Sequence, residues 1–81
     1  MKIVTTLRFD RLFASASSDK QAAFRKQSRL LLEDIRHPSL RAKKYDEVKG
    51  LWQARLTGNW RFNFLIVGDT YIMTHIGPHP K

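Results

Sequence analysis

Two arginines, Arg55 and Arg61, stand symmetrically about a short turn, where together they could bind an anion. Apolar and polar residues alternate with a period of two on both sides of Thr57–Asn59, which is typical of a β-hairpin. A three-residue turn pairs Arg55 with Arg61, and it also pairs Leu56 with Trp60. Opposed like charges are destabilising, so the two arginines either splay into solvent or hold an anion. The planar guanidinium fork is suited to a phosphate.

The overall charge favours a polyanionic partner. Fifteen Lys and Arg residues stand against seven Asp and Glu in 81 residues, a net charge of +8. Such a charge attracts nucleic acid or an acidic protein, and charge alone does not choose between them. The chain has no cysteine, which excludes disulfides and thiolate metal sites. The three histidines lack the spacing of a metal site, so we expect no metal and no other cofactor.

The N-terminal residues lead into no long apolar run. We therefore expect neither a signal peptide nor a membrane-spanning segment. Together with the absence of cysteine, this favours a cytoplasmic protein.

The first half of the sequence predicts one strand and two helices. Lys2–Leu7 is rich in β-branched residues, as strands are. In Phe9–Ala16 the apolar residues recur at i, i+3, i+4 and i+7, which is one face of a short helix. Ser18 followed by Gln21 predicts a capping box, so that a second helix begins near Asp19.

Residues 37–50 form the longest segment with no regular pattern. The second helix must end by His37, because Pro38 disfavours the helical conformation at the preceding residue. Leu40 and Val48 are expected to anchor this basic segment to the core. Long loops in small domains tend to be functional, although a solvated surface loop is the alternative.

A second hairpin follows the first. Val67–Thr70 has glycine at the first central position, the signature of a two-residue type II′ turn. Counting back from this turn sets Phe62 opposite His75. It also sets Arg61 beside Ile76. His75 therefore falls on the apolar face, where we expect a structural rather than a catalytic histidine.

This order of elements resembles the RelE/ParE superfamily of bacterial toxins. The sequence predicts one α+β domain, residues 1–81, with the order βααβββ: an N-terminal strand, two helices packed on one sheet face, and an antiparallel three-strand meander. The segments that carry the resemblance are His37-Pro38, Gly50–Leu56, Asn59–Phe64, Val67–Asp69 and His79–Lys81.

The resemblance implies the toxin of a type II toxin–antitoxin pair. RelE-like members cut mRNA on the ribosome without a metal, whereas ParE-like members inhibit DNA gyrase. An mRNA endonuclease is the favoured hypothesis. The alternatives are a ParE-like inhibitor of gyrase and a catalytically degenerate RNA-binding relative. The implied partners are mRNA, the ribosome and an antitoxin with an acidic segment, and no membrane is implied.

The resemblance also assigns candidate site residues. The arginine that begins the third strand of RelE-like nucleases falls on Arg61. The basic positions of their preceding strand fall on Gln53 and Arg55, so one of the two keeps its charge. The histidine near the C-terminus of YafQ-like members falls on His79. Where those members carry an acidic residue before the hairpin aromatic, this chain has Asn59.

Metal-free RNA cleavage gives these residues their roles. The 2′-hydroxyl of the substrate attacks the adjacent phosphate, which requires a base, an acid and cations for the developing charge. Arg55 and Arg61 suit the charge-stabilising role, and His79 suits proton transfer because histidine changes charge near neutral pH. Tyr45 could stack on a base or pack on its own domain. The full set of predicted RNA-binding residues is Gln53, Lys43, Lys44, Tyr45, Lys49 and Lys81.

Overall fold

The computed structural model describes residues 1–79, in which two helices pack on one face of a five-stranded sheet. The elements are β1 (Lys2–Thr5), α1 (Leu7–Ser15), α2 (Ser18–Glu33), β2 (Lys43–Asp46), β3 (Leu51–Thr57), β4 (Trp60–Val67) and β5 (Thr70–Pro78). The strand order is β1-β5-β4-β3-β2, with β1 parallel to β5 and every other neighbouring pair antiparallel. The predicted α+β order of a strand, two helices and a three-strand meander is confirmed.

Thr6 ends β1 and begins α1. Its hydroxyl accepts a hydrogen bond from the Phe9 N–H at 3.2 Å and donates one to the Met73 carbonyl at 3.0 Å. One side chain thus satisfies an N–H that the helix leaves unpaired and joins the helix start to β5. The first strand is shorter than the predicted Lys2–Leu7, because Thr6 leaves the sheet to cap the helix.

The second helix is capped one residue earlier than predicted. The capping box of Ser18 and Gln21 is wrong, since Ser17 is the N-cap and accepts from the Lys20 N–H at 3.4 Å. The Gln21 amide instead donates to the Phe13 carbonyl at 2.9 Å. Gln21 therefore satisfies the open end of α1 and fixes the angle between the helices. The helix ends at Glu33, ahead of the predicted limit.

The core lies between the helices and the covered face of the sheet. Phe62 and Phe64 of β4 have no exposed surface. Phe24 of α2 meets Phe62 edge-on, with ring centroids 5.4 Å apart. Burying each such side chain contributes about 1.5–3 kcal/mol before conformational entropy is counted. The remaining buried apolar residues are Phe9, Leu31, Leu40, Ala54, Leu56, Tyr71, Met73 and Ile76.

The first hairpin keeps the predicted register over most of its length. Arg55 is the partner of Arg61, as predicted. Near the turn the register shifts, so that Trp60 pairs with Thr57 and the predicted pair with Leu56 is wrong. The extra residue is accommodated by a bulge, which alternation alone does not reveal.

The second hairpin contains the most consequential departure from the prediction. Its turn is as predicted, with Val67 paired to Thr70. Further along, Thr74 is an additional residue, and the register shifts by one. His75 therefore opposes Asn63, and the predicted placement opposite Phe62 on the apolar face is wrong. Because side chains alternate, a single inserted residue moves every later side chain to the other face.

The shift also changes what lies beside the first hairpin. Phe62 opposes Ile76, and Arg61 opposes Gly77 rather than Ile76. A glycine thus stands next to Arg61, where the prediction placed a bulky apolar residue.

The segment predicted to be irregular contains an edge strand, β2. Leu40 is fully buried, as predicted, and its carbonyl accepts from the Arg55 N–H at 2.7 Å. This bond continues the pairing of β3 beyond β2. The predicted anchoring role of Val48 is wrong, because this residue lies in the β2–β3 turn with 96% of its surface exposed.

We expect Phe62→Ala to lower the free energy of unfolding by about 3–5 kcal/mol, because the cavity lies between α2 and the sheet. Val48→Ala is the matched control, and its effect should be within about 0.5 kcal/mol. Urea denaturation of both variants measures the difference. A wild-type midpoint for Phe62→Ala would contradict this description of the core.

Candidate active site

The sheet face turned away from the helices, called here the open face, carries two rows of polar residues. Register partners on neighbouring strands project from the same face. The first row consists of Lys43, Gln53, Asn63 and His75, and the second consists of Arg55, Arg61 and Gly77.

Two adjoining clefts lie along these rows, each of about 220 Å³. Gln53, Arg61 and His79 line both of them. One of them, called here the central cleft, is also lined by Arg41 and Lys43. The other, called here the histidine cleft, is also lined by Arg8, Tyr45, Asn63 and His75. Among residues 1–79, no carboxylate lines either cleft. The pair of clefts is therefore electropositive and suited to an anion.

Arg61 is oriented by the turn of its own hairpin. Its Nη1 donates to the Gly58 carbonyl at 3.0 Å and to the Trp60 carbonyl at 2.9 Å. The guanidinium has five N–H groups, and within residues 1–79 the others donate to no group. Arg61 is thus held by its own turn, with N–H donors that bond to no group of the described residues.

His79 joins the same clefts through a backbone hydrogen bond. Its N–H donates to the Asn59 carbonyl at 2.6 Å, which ties the residue after β5 to the turn of the first hairpin. The sequence resemblance assigned His79 to the site without giving its position. In the structure it shares both clefts with Arg61.

His75 is the residue that sequence reasoning missed. Its Nδ1 lies 3.5 Å from Nη2 of Arg8, at the start of α1. A guanidinium can only donate, so this contact suits the neutral tautomer in which Nδ1 accepts and Nε2 carries the proton. Burial, with a smaller effect from the Arg8 charge, lowers the pKa of His75 from its ordinary value. The lowered pKa favours the neutral form of His75.

Gly77 leaves room for the His75 ring. A Cβ added at Gly77 would lie 3.2 Å from Nε2 of His75, closer than such contacts ordinarily are. The ring therefore leans along the strand toward the position opposite Arg61. No signal in the sequence marks this arrangement, because it depends on the bulge at Thr74.

Three predicted RNA-binding residues line these clefts. Gln53 is only 6% exposed, and its Nε2 donates to Oδ1 of Asn63 at 3.2 Å. Tyr45 is half exposed at the rim of the histidine cleft. Lys43 lies at the central cleft. The exposed tyrosine ring is available for stacking, whereas the Gln53 amide contributes mainly to the polar floor.

Two other predicted RNA-binding residues, Lys44 and Lys49, line neither of these clefts. Lys44 is the register partner of Trp52, on the other side of the strand from Lys43, and its Nζ lies 3.7 Å from Oε2 of Glu47. Lys49 is in the exposed β2–β3 turn and lines neither cleft. Lys81 lies outside the described residues.

Arg55 separates from Arg61 although the two are register partners. It lines a third, larger cleft of about 470 Å³, called here the helix cleft, between α2, residues 38–41 and the end of β3. Of the three clefts, the helix cleft is the one to which Arg55 contributes. Arg55 and Arg61 therefore line different clefts, and these adjoin at Arg41.

Within residues 1–79, no group of three or more His, Asp or Glu side chains is arranged to hold a metal ion. No helix in this range is long and apolar enough to cross a membrane.

Comparisons with solved structures identify the fold. The YoeB/ParE toxin from Agrobacterium tumefaciens matches with a TM-score of 0.82 at 16% identity, covering 99% of this chain and 100% of that chain. A chain of the archaeal RelE–RelB complex from Pyrococcus horikoshii OT3 matches with a TM-score of 0.79 at 14% identity, covering 99% and 96%. YafQ from E. coli strain BL21(DE3) matches with a TM-score of 0.76 at 12% identity, covering 94% and 90%.

No family model and no curated protein sequence matches the chain. The similarity is therefore one of fold, and the chain has the fold shared by these RelE, YafQ and YoeB/ParE toxin structures. This confirms the fold that the sequence resemblance implied.

The lowered pKa of His75 makes stability depend on pH. As the pH falls through about 6.5, the ordinary pKa of histidine, His75 of the unfolded chain binds a proton. Folded His75 binds its proton only at a lower pH, so protonation favours the unfolded state. The free energy of unfolding should therefore decrease from pH 7.5 toward pH 5 and level off below the folded pKa. His75→Gln should show a smaller decrease.

Urea denaturation at both pH values measures this difference, and NMR titration of the imidazole reads the pKa directly. Arg8, Tyr45, Arg61 and His79 face the same cleft, so Arg8→Gln is a useful second variant, expected to raise the His75 pKa. Identical pH dependence in wild type and His75→Gln would contradict the lowered pKa of His75.

Proposed function

We propose that this protein is the toxin of a type II toxin–antitoxin pair and that it cleaves mRNA on the ribosome in the cytoplasm. The observation that carries the proposal is the cleft in which Arg61, His75 and His79 meet, to which no carboxylate of the described residues contributes. The net charge of +8 supports a polyanionic substrate. The fold shared with RelE and YafQ structures supports the toxin role.

The chemistry that suits this cleft is transfer of a phosphoryl group within the RNA. The 2′-oxygen of the substrate forms a bond to the adjacent phosphorus, and the bond from phosphorus to the 5′-oxygen breaks. The products are a 2′,3′-cyclic phosphate and a 5′-hydroxyl. Negative charge grows on the equatorial oxygens in the transition state, where preorganised donors are most effective. The free N–H groups of Arg61 supply such donors.

The two histidines take different parts. His79 transfers a proton, because it is exposed at the junction of the two clefts beside Arg61. His75 donates a hydrogen bond from Nε2 to a phosphate oxygen, since Arg8 occupies its Nδ1. Arg8 is then a positioning residue that acts through His75.

Arg61→Ala should reduce cleavage by about 10²–10³, the loss typical of a preorganised transition-state donor. The variant should remain folded, since the two lost hydrogen bonds contribute about 0.5–1.5 kcal/mol each. Single-turnover cleavage of a short mRNA on programmed ribosomes, together with thermal melts, measures both effects. Arg36→Ala, at an exposed position outside the clefts, is the charge-matched control.

In the same assay, His79→Ala should slow cleavage by about 10²–10⁴ if it transfers the proton. Wild-type cleavage by Arg61→Ala would refute the phosphate-binding role of this cleft. Inhibition of growth by gyrase poisoning, with intact mRNA, would favour the ParE-like alternative instead.

We further propose an antitoxin partner whose acidic segment covers the open face. The excess of positive charge supports this, as does the solved RelE–RelB complex of the same fold. Opposite charges speed association, and salt weakens it. Co-expression with the neighbouring gene and purification at low and high salt is the test. Recovery of the protein alone, with no growth defect when it is expressed singly, would contradict the toxin–antitoxin proposal.

A further inference from the structure

The helix cleft is a second electropositive site that the catalytic proposal does not use. Its walls come from three parts of the chain. Lys26 and Gln27 belong to α2, Ser39 and Arg41 to the segment before β2, and Arg55 to β3. With a volume of about 470 Å³, it is larger than either cleft of the open face.

A buried amide holds these walls together. Gln27 is 3% exposed, and its Nε2 donates to the Ser39 carbonyl at 3.1 Å and to the Arg55 carbonyl at 2.9 Å. The Ser39 hydroxyl donates back to Oε1 of Gln27 at 3.3 Å. Because a buried amide without partners is costly, these bonds fix the position of α2 relative to residues 38–41 and β3. The cleft is therefore a preformed concavity.

Lys26, Arg41 and Arg55 bring three positive charges to this concavity, and no carboxylate of the part of the chain that the structure describes lines it. In the part of the chain that the structure describes, the one salt bridge joins Lys44 to Glu47, away from the cleft. Uncompensated like charges that converge on a concave surface repel one another and attract anions.

Arg41 links the helix cleft to the site described above. It lines both the helix cleft and the central cleft, which also contains Arg61. Its φ of +47° is the one positive φ of a residue other than glycine within residues 1–79. Such a conformation is strained for a residue with a Cβ, and strain of this kind persists where a site requires it.

We propose that the helix cleft binds a backbone phosphate of single-stranded RNA next to the phosphate held by Arg61. The RNA would then run from the open face past Arg41 to Lys26. The identification of RNA as the ligand of this subsite rests on the proposed function. The subsite gives Arg55 a phosphate contact separate from that of Arg61.

Binding of a 2′-O-methyl RNA hexanucleotide, which cannot be cleaved through its 2′ position, tests the subsite separately from catalysis. Affinity is measured from low to physiological salt. The double variant Lys26→Gln/Arg41→Gln should reduce the slope of log K against log salt by about 0.7, the contribution of one single-strand phosphate contact. Arg29→Gln/Arg36→Gln removes the same charge from exposed positions outside the cleft and should retain the wild-type slope.

Equal slopes in the two double variants would overturn the subsite, as would the absence of measurable binding by the wild type. Cleavage distinguishes the two proposals. If the wild type binds this RNA with the expected slope difference but cleaves no mRNA, the nuclease proposal fails and the subsite remains.

Two single variants distinguish weaker RNA binding from a loss of folding. Lys26→Gln lies on the helix surface and should melt like the wild type while it weakens RNA binding. Arg41→Gly relieves the strained backbone and should melt at or above the wild-type temperature while it also weakens binding. A lower melting temperature together with wild-type binding for Arg41→Gly would show that Arg41 serves folding rather than RNA.

Discussion

The arrangement of the candidate site depends on the burial of two phenylalanines of β4. Phe62 and Phe64 lie against the helices with no exposed surface, and alternation therefore commits Arg61 and Asn63 to the open face. A slip of one residue would place the Arg61 guanidinium in the core, where an unpaired charge is prohibitively unfavourable. The burial of these two phenylalanines therefore both stabilises the sheet and positions Arg61 on the open face.

Polar side chains with two or more partners hold the other elements around this sheet. Thr6 joins α1 to β5, Gln21 joins the two helices, and Gln27 joins α2 to the segment before β2 and to β3. These hydrogen bonds connect the elements of a chain that has no cysteine and therefore no disulfides. The clefts between the same elements concentrate positive charge, and no carboxylate of residues 1–79 lines them. Converging like charges repel one another, so this surface opposes stability unless an anion binds there.

The sequence predicted the parts of the structure that follow from simple periodicity. Alternation placed Arg55 opposite Arg61, and the turn chemistry placed Gly68 correctly. Periodicity did not reveal the bulge at Thr74. The one extra residue there moves every later side chain of β5 to the opposite face. His75 and its partner Arg8 were missed for that reason. Gln27 was missed because helical periodicity identifies apolar residues and does not show where a buried amide finds partners. Register does not determine which cleft a residue lines, so the sequence left open whether Arg55 and Arg61 share a site or splay apart, and it did not reveal the helix cleft that Arg55 lines.

The chemical nature of the cut RNA ends tests catalysis by the open face most directly. Ribosomes programmed with a short mRNA are incubated with the protein, and the fragments are analysed by mass spectrometry. Attack by the 2′-hydroxyl leaves a 2′,3′-cyclic phosphate and a 5′-hydroxyl, and a 2′-deoxy nucleotide at the cut site should block cleavage. Fragments with a 3′-hydroxyl and a 5′-phosphate, or unimpaired cleavage of the 2′-deoxy substrate, would show that another nucleophile acts and would contradict the assignment of Arg61, His75 and His79.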